Sequence, residues 1–220
     1  MAGRGAIRYA RSEMRLASLA AWVLVATFPQ GSLYRMEEQG TDVVALRAEG
    51  TLRAPAWAVR EVLVRGWSYD RISPYLAERR LLHREGCREG ASDLPGCRAV
   101  WAYERYEPPF VGAHDYAFRM EVVVDDTDRG GDFELAWELD DSHGKPPDGP
   151  THVRANRGAW TISPAGGRTA FRYRISLDPG GALPAWLVNI ANRSQVPSVI
   201  SAVEAEAQKL AESRPRQKDL

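Results

Sequence analysis

Hydrophobic and polar residues alternate over long stretches of this chain, a pattern typical of β-strands with one buried face. Five stretches show the clearest alternation: 98–106, 114–124, 133–139, 153–162 and 169–177. A further strand is predicted over 43–52, which is rich in β-branched residues. Because one side of most of these strands is polar, the pattern favours an antiparallel sheet that packs on one side only.

Two segments have helical spacing instead. Residues 54–64 place their large apolar side chains on one side, and Pro55 suits the first turn of a helix. A longer helix is predicted over 183–210, with Pro184 in its first turn and Pro197 as a kink. Together these elements predict an α+β fold in which a strongly curved antiparallel sheet wraps around a long C-terminal helix.

The start of the chain differs from the rest. A basic leader precedes an apolar run over 16–28, which is shorter than a membrane span and ends near a small-residue cleavage site at 24–26. This pattern favours export to the periplasm or the extracellular space, and the alternative is a buried first helix in a cytoplasmic protein. The predicted organisation is a signal-like or disordered apolar segment over 1–30, one domain over 31–212 and a charged tail over 213–220.

Charge and cysteine content limit the kinds of partner and metal site that the chain can have. The chain has 29 Lys and Arg against 29 Asp and Glu, so no net field favours nucleic acid, which is not expected as a partner. Cys87 and Cys97 flank a turn-rich segment and suit a disulfide across a hairpin, with free thiols as the alternative. Two cysteines cannot complete a zinc site, and no cofactor is predicted.

Catalytic motifs are absent from the sequence. The serine nucleophile motif G-x-S-x-G, the phosphate loop G-x-x-x-x-G-K-[ST] and the zinc motif H-E-x-x-H do not occur. His114 and Asp115 are adjacent on a predicted strand, so their side chains lie on opposite faces and cannot form a dyad with each other. His114 is predicted to be a strand-edge residue, and the chain is not expected to be an enzyme.

Three stretches resemble the START (StAR-related lipid transfer) domains, which belong to the Bet v 1-like helix-grip superfamily. They are LYRMEEQGTDVVALRAEGTLRAPAWAVREVL at 33–63, YEPPFVGAHDYAFRMEV at 106–122 and ISLDPGGALPAWLVNIANRSQVPSVI at 175–200. The chain is most similar to bacterial single-domain members. It departs from the family at His114, where an arginine is usual, and the family's first helix would fall on the apolar run around Trp22.

The resemblance implies a function. It implies binding, and an associated transfer, of a lipid or other hydrophobic small molecule in a cavity between the sheet and the C-terminal helix, with a transient membrane contact. The alternative is an enzyme of the same superfamily, a polyketide cyclase or aromatase that uses the same cavity. The resemblance and the strand phases place these residues at the ligand: Tyr116, Phe118, Trp137, Trp160, Tyr173, Trp186, Ile190 and Arg193. The phase of 153–162 adds Arg154 and Asn156, which share a face with Trp160.

Overall fold

The computed structural model describes residues 22–37, 44–65, 75–89, 91, 96–107, 112–144, 150–180 and 185–213. For residues 37, 44 and 185–193 it describes the backbone only.

The described residues form one large sheet, two α-helices and a short 3₁₀ helix at Thr127–Arg129. The strands are β1 Val23–Phe28, β2 Gly31–Glu37, β3 Val44–Leu52, β4 Leu76–Glu85, β5 Ala99–Tyr106, β6 His114–Asp125, β7 Phe133–Leu139, β8 Thr151–His152, β9 Ala155–Ala165 and β10 Arg168–Asp178. The helices are α1 Ala56–Val64 and α2 Ala185–Ser213, the latter with Pro197 inside it. No helix in the described ranges is both long and apolar enough to cross a membrane.

The sheet is antiparallel and open. Its strand order is β1-β2-β3-β10-β9-β7-β6-β5-β4, and among the described strands only the two-residue β8 pairs in parallel, with the start of β6. Because β1 and β4 are the two edges, the sheet does not close into a barrel. The predicted α+β class is confirmed, and the six predicted strands match β3, β5, β6, β7, β9 and β10 to within three residues at each end.

The first strand corrects one expectation. Residues 23–28 are extended and pair with β2, so the apolar run does not supply a first helix over that range. The cation of Arg47 on β3 lies between the rings of Trp22 and Tyr34, 4.8 Å and 4.7 Å from their centroids. The sheet therefore begins before the expected domain boundary at residue 31, and a cut after Ala26 would divide β1. The signal-like segment before Trp22 lies outside the described residues, and export stays a prediction.

Register places the inward side chains in rows across the concave face of the sheet. One row runs through Leu33, Ala48, Tyr173, Trp160 and Leu135 from β2 to β7. All five side chains are buried. We call the end where β5, β7 and β10 finish the upper end of the sheet, and the opposite end the lower end.

The helices cover the lower half of the concave face. Among the described side chains of α2, the buried apolar ones lie at positions 196, 200, 203 and 207, which is the spacing of a helix with one face against a core. Helix α1 buries Val59, Val62 and Leu63 and packs on α2 and on the neighbouring strands. The lower half of the molecule is therefore a closed hydrophobic core.

Two local links fix the lower end. The buried Glu204 carboxylate of α2 accepts hydrogen bonds from the Gln30 amide at 2.7 Å and from the Arg53 backbone N–H at 2.6 Å. These bonds attach α2 to the β1–β2 turn and to the end of β3. Cys87 and Cys97 are bonded to each other across the connection between β4 and β5.

Candidate functional site

The upper half of the concave face contrasts with the closed core below it. Here the inward side chains of Tyr106, Tyr116, Leu139, Ile175 and Leu177 are only half-buried. Burial nevertheless raises the pKa of the Tyr106 and Tyr116 phenols well above their ordinary value. A side chain that is desolvated by its surroundings and still partly accessible borders open space, so we infer a cavity on this half of the sheet.

A buried polar network forms one wall of this cavity, on β4, β5 and β6. Glu104 on β5 is 2% exposed, and its carboxylate pairs with the Arg79 guanidinium from β4. The phenols of Tyr106 and Tyr116 both donate to the same Oε2 atom of Glu104, at 3.0 Å and 2.7 Å. The buried carboxylate is therefore fully engaged by its own neighbours, as a charge in such a place requires.

The pKa shifts of the two tyrosines follow from this geometry. Removal from water raises both, and the negative charge of Glu104 raises them further because it opposes a second anion nearby. Arg79 acts in the opposite direction on Tyr106 but does not cancel the rise. At neutral pH both phenols are protonated donors to Glu104.

His114 completes this wall. It pairs in register with Tyr106 and precedes Tyr116 by two residues, so all three share the concave face. The residue is 7% exposed, and its Nδ1 atom lies 3.1 Å from the Gly112 carbonyl oxygen. His114 is the first residue of β6, as the predicted strand-edge position implies. Its side chain, however, faces inward.

The floor of the cavity is aromatic. Phe118 lies beside Tyr116, with ring centroids 5.5 Å apart. The Trp137 indole lies flat over Gly158, where an added Cβ would stand 2.2 Å from the indole ring. The indole N–H donates to Asn156 Oδ1 at 3.0 Å, so the side chain of Asn156 faces inward on β9.

Trp160 and Tyr173 lie lower on the same face. Their ring centroids are 4.8 Å apart, and Trp160 has no exposed surface. Both belong to the closed core, where they pack under Trp137 rather than along the accessible part of the cavity.

Arg154 does not face inward beside Trp160, as the strand phase predicted. It lies one residue before β9, in a bend whose backbone N–H bonds to the Asp178 carbonyl, and its side chain is exposed. The alternating phase of the strand therefore does not extend to it. The backbone of Trp186, Ile190 and Arg193 belongs to α2, but their side chains lie outside the described residues.

Other polar groups gather elsewhere and do not reach the cavity. On the convex face, buried Asp115 accepts a bond from Tyr103 and is paired with His152 at 2.6 Å. At the lower end, a cleft of about 400 Å³ is lined by Gln30, Arg53, Arg168 and their neighbours. In the part of the chain that the structure describes, no three His, Cys, Asp or Glu side chains are placed to hold a metal ion.

Comparison with known proteins gives structural matches only. No protein-family model matches the chain, and neither does any curated protein sequence. Among solved structures, human STARD10 superposes with a TM-score of 0.70 at 15% identity, covering 87% of this chain and 74% of that one. A STAR-related lipid transfer protein from Xanthomonas axonopodis gives 0.69 at 20% identity, covering 85% and 98%. The Zhui aromatase/cyclase of Streptomyces sp. R1128 gives 0.53 at 17% identity, covering 80% and 98%.

These matches agree with the large open antiparallel sheet and with the long C-terminal helix. They span most of this chain and most of each matched chain. The chain therefore has the helix-grip fold of the START domains.

Proposed function

We propose that the protein binds one lipid or other hydrophobic small molecule in the cavity on the upper half of the concave face. The observation that carries this proposal is the set of half-buried inward side chains, Tyr106, Tyr116, Leu139, Ile175 and Leu177, two of which are phenols whose pKa is raised by burial. Most of this lining is apolar or aromatic, and a small polar wall stands at one side, which is the usual composition of a ligand pocket. The START fold supports the same function.

The energetics favour an apolar ligand. Each 100 Å² of apolar ligand surface removed from water contributes about 2.5 kcal/mol. A lipid chain therefore needs few polar contacts for tight binding, and the polar wall selects among ligands. Transfer between membranes, with a transient membrane contact, would follow if the bound lipid exchanges with a bilayer.

Native mass spectrometry of the purified protein tests binding directly, followed by extraction of any co-purifying molecule. Uptake from a panel of sterols, fatty alcohols, fatty acids and phospholipids is then measured. Leu139→Trp fills the accessible part of the cavity and is expected to weaken uptake at least tenfold. Glu138→Trp adds the same bulk on the convex face and is its matched control.

Two results would contradict the proposal. One is a wild-type protein that is empty after purification and takes up no member of the panel. The other is a Leu139→Trp variant that takes up the same ligands as Glu138→Trp with equal affinity. Transfer is tested separately, as movement of a fluorescent lipid between donor and acceptor vesicles.

A second candidate, a polyketide cyclase or aromatase, is favoured by one observation. The cavity wall brings His114 and two tyrosines to one place beside the Glu104–Arg79 pair, and a cyclase needs inward-facing proton donors and acceptors. Glu104 is already engaged, so His114 is the group that remains to act as a base. Incubation with a poly-β-ketone thioester tests this candidate, and cyclised product that disappears in His114→Phe would support it.

A further inference from the structure

Charged side chains are distributed unevenly over the convex face of the sheet. Neighbours along a strand point to opposite faces, so the convex positions alternate with the buried concave row through Leu33 and Tyr173. On β3, β9 and β10 the basic residues at convex positions are Arg47, Arg157, Arg168, Arg172 and Arg174. The acidic residues at convex positions of the same strands are Glu49 and Asp178. This half of the convex face, which we call the basic half, therefore carries net positive charge.

The other half of the convex face is acidic. At convex positions, strands β4 to β7 carry the acidic residues Glu78, Glu85, Asp115, Glu121, Glu134 and Glu138. The basic residues at convex positions of these strands are Arg80, Arg105 and Arg119. The balance of 29 basic and 29 acidic residues in the whole chain thus hides a separation of charge across the sheet. A neutral protein with such a separation is still attracted to an anionic surface through its basic half.

The outer edge of the basic half is apolar. Val23 and Leu24 of the edge strand β1 are 61% and 53% exposed, the highest values among the large hydrophobic side chains that the structure describes. Register places Leu24 in one row with Tyr34, Arg47 and Arg174, on β2, β3 and β10. An exposed aliphatic side chain, an aromatic ring and two guanidinium groups therefore lie side by side.

Arg47 is held in this row by its neighbours. Its guanidinium lies between the rings of Trp22 and Tyr34. Its Nε atom is 3.4 Å from Glu49 Oε2, and the Nε atom of Arg172 is 3.6 Å from the same oxygen. One carboxylate thus serves two guanidinium groups, which leaves this part of the face positive. Tryptophan, tyrosine and arginine are also the side chains that proteins place at the boundary between lipid headgroups and acyl chains.

The apolar edge distinguishes a lipid surface from other anionic partners. Nucleic acid presents phosphates to arginines but offers Val23 and Leu24 no apolar medium to enter. The acidic half of a second copy has, among its described large hydrophobic side chains, only Val123 as an exposed counterpart. An anionic bilayer supplies both requirements, phosphates at its surface and acyl chains below them.

We propose that the basic half of the convex face, together with the exposed edge of β1, docks on the surface of an anionic lipid bilayer. The arginine guanidinium groups contact the lipid phosphates, and Val23 and Leu24 enter the boundary between headgroups and acyl chains. This inference goes beyond the proposed function, because docking on a bilayer requires no ligand in the cavity.

Cosedimentation of the full chain with lipid vesicles tests the docking surface. Vesicles of phosphatidylcholine alone are compared with vesicles of phosphatidylcholine and phosphatidylglycerol in equal amounts. We expect the full chain to bind the mixed vesicles at least tenfold more tightly, with an affinity that falls as salt is added.

Two double variants locate the charges that act. Arg157→Gln combined with Arg172→Gln removes two exposed cations from the basic half. It should weaken binding to mixed vesicles on the order of 25-fold, because each arginine near an anionic bilayer contributes roughly a factor of five. Arg80→Gln combined with Arg105→Gln removes the same charge from the acidic half and is the matched control. It should change the affinity less than about twofold.

A separate pair of variants tests the apolar edge. Leu24→Ser removes an exposed aliphatic side chain from β1 and should weaken binding to mixed vesicles at least about threefold, because less apolar surface leaves water. Val123→Ser makes a comparable change on β6, in the acidic half, and should leave the affinity unchanged.

Four results would overturn the inference. The full chain may bind neither kind of vesicle, the two double variants may lose affinity equally, or Leu24→Ser may bind as tightly as Val123→Ser. In the fourth, the full chain binds duplex DNA more tightly than mixed vesicles, or forms salt-sensitive oligomers that both double variants abolish. Uptake of ligands from the lipid panel is measured without vesicles, so failure of the binding function and failure of this inference are distinguishable.

Hydrogen exchange on unmodified protein covers the case in which a variant does not fold. Strands β1 and β4 are the two edges of the sheet, so each serves as a reference for the other. Mixed vesicles should slow the exchange of backbone amides in β1 and leave those in β4 unchanged. Equal protection of both edges, or protection of β4 alone, would overturn the inference.

Discussion

At the scale of single residues, the buried pair of Glu104 and Arg79 dominates the polar wall. Removing one partner of a buried ion pair leaves the other charge without compensation. We expect Glu104→Ala to lower the free energy of unfolding by about 3–5 kcal/mol. Tyr116→Phe removes one of two phenol bonds to the same oxygen and should cost about 1–2 kcal/mol.

Urea unfolding followed by circular dichroism measures both changes. Glu78→Ala is the control, because Glu78 lies on β4 near the pair but is 36% exposed in its side chain and should cost less than about 1 kcal/mol. A Glu104→Ala variant as stable as Glu78→Ala would show that the pair contributes nothing.

The buried tyrosines also predict a dependence on alkaline pH. Burial raises the pKa of Tyr106 and Tyr116, and burial together with the Asp115 charge raises that of Tyr103. Because the pKa of each phenol is higher in the folded than in the unfolded state, the protonated phenol stabilises the fold. This contribution is complete below the unfolded-state pKa of about 10 and is lost as pH rises through the folded-state pKa.

Absorbance at 295 nm during an alkaline titration checks this expectation. The phenols of Tyr103, Tyr106 and Tyr116 should ionise only above the range of ordinary tyrosines, or together with unfolding. The unfolding free energy of Tyr116→Phe should fall less steeply above pH 10 than that of wild type. Ionisation of all eight tyrosines in one step near pH 10 in a folded protein would contradict the structure.

The hydrophobic pattern of the sequence predicted some of the side chains on the concave face and missed others. The inward phase of β6, β7 and β9 was readable because one side of each strand is clearly more apolar, which gave Phe118, Trp137 and Asn156. On β5 both faces are buried, and Trp101 and Tyr103 make the outward face the more aromatic one. Glu104 and Tyr106 were therefore missed, because alternation cannot tell which of two buried faces is concave.

At the scale of elements, Glu204 is the link that holds α2. Its burial acts to raise the pKa of the carboxyl, but bonds from the Arg53 amide, the Gln30 amide and the Arg53 guanidinium hold it below its ordinary value of 4.5. Because the pKa of the Glu204 carboxyl is lower in the folded than in the unfolded state, its charged form stabilises the fold. This contribution is complete above the unfolded-state pKa and is lost as pH falls through the folded-state pKa.

We expect Glu204→Gln to lower the unfolding free energy at pH 7 by about 1–3 kcal/mol, because bonds to a charged acceptor are replaced by bonds to a neutral one. The difference between variant and wild type should shrink as pH falls below about 4.5. Thermal unfolding from pH 7 to pH 3 measures it, with the more exposed Glu206→Gln on the same helix as control. A difference that stays constant over this range would exclude a role for the Glu204 charge.

Element prediction failed where tertiary contacts override local pattern. Strand β4 reads LAERRLLHRE and does not alternate, because two irregularities in its pairing with β5 change which side chains face inward. Strand β1 is a short edge strand, and its apolar sequence is equally compatible with a leader or a helix.

At the scale of the whole molecule, the edge strand β1 decides where the folded domain begins. It pairs with β2, and Trp22 stacks on Arg47 just before it. A chain that lacks residues 2–21 should therefore keep the stability of the described domain. A chain that lacks residues 2–28 loses β1 and leaves β2 as a new, unpaired edge, which favours association between chains.

Circular dichroism and size-exclusion chromatography compare the two truncations. The shorter deletion should give a cooperative thermal transition, whereas the longer one should unfold at a lower temperature or form aggregates. Equal transitions for both chains would show that β1 is not part of the stable fold. N-terminal sequencing of protein made in its own host separately tests export.

The sequence by itself determined the fold class, most of the strands and both helices, because hydrophobic periodicity follows directly from the geometry of each element. The cavity between sheet and helix was implied by the resemblance to START domains rather than by the pattern alone, and the ligand site stays a prediction. Only the tertiary structure decided which side chains of the upper half stay accessible, that Arg154 lies outside the strand and that His114 turns inward beside Tyr106 and Tyr116. These properties depend on where strands begin, on register and on burial across distant strands, and no local pattern in the chain contains that information.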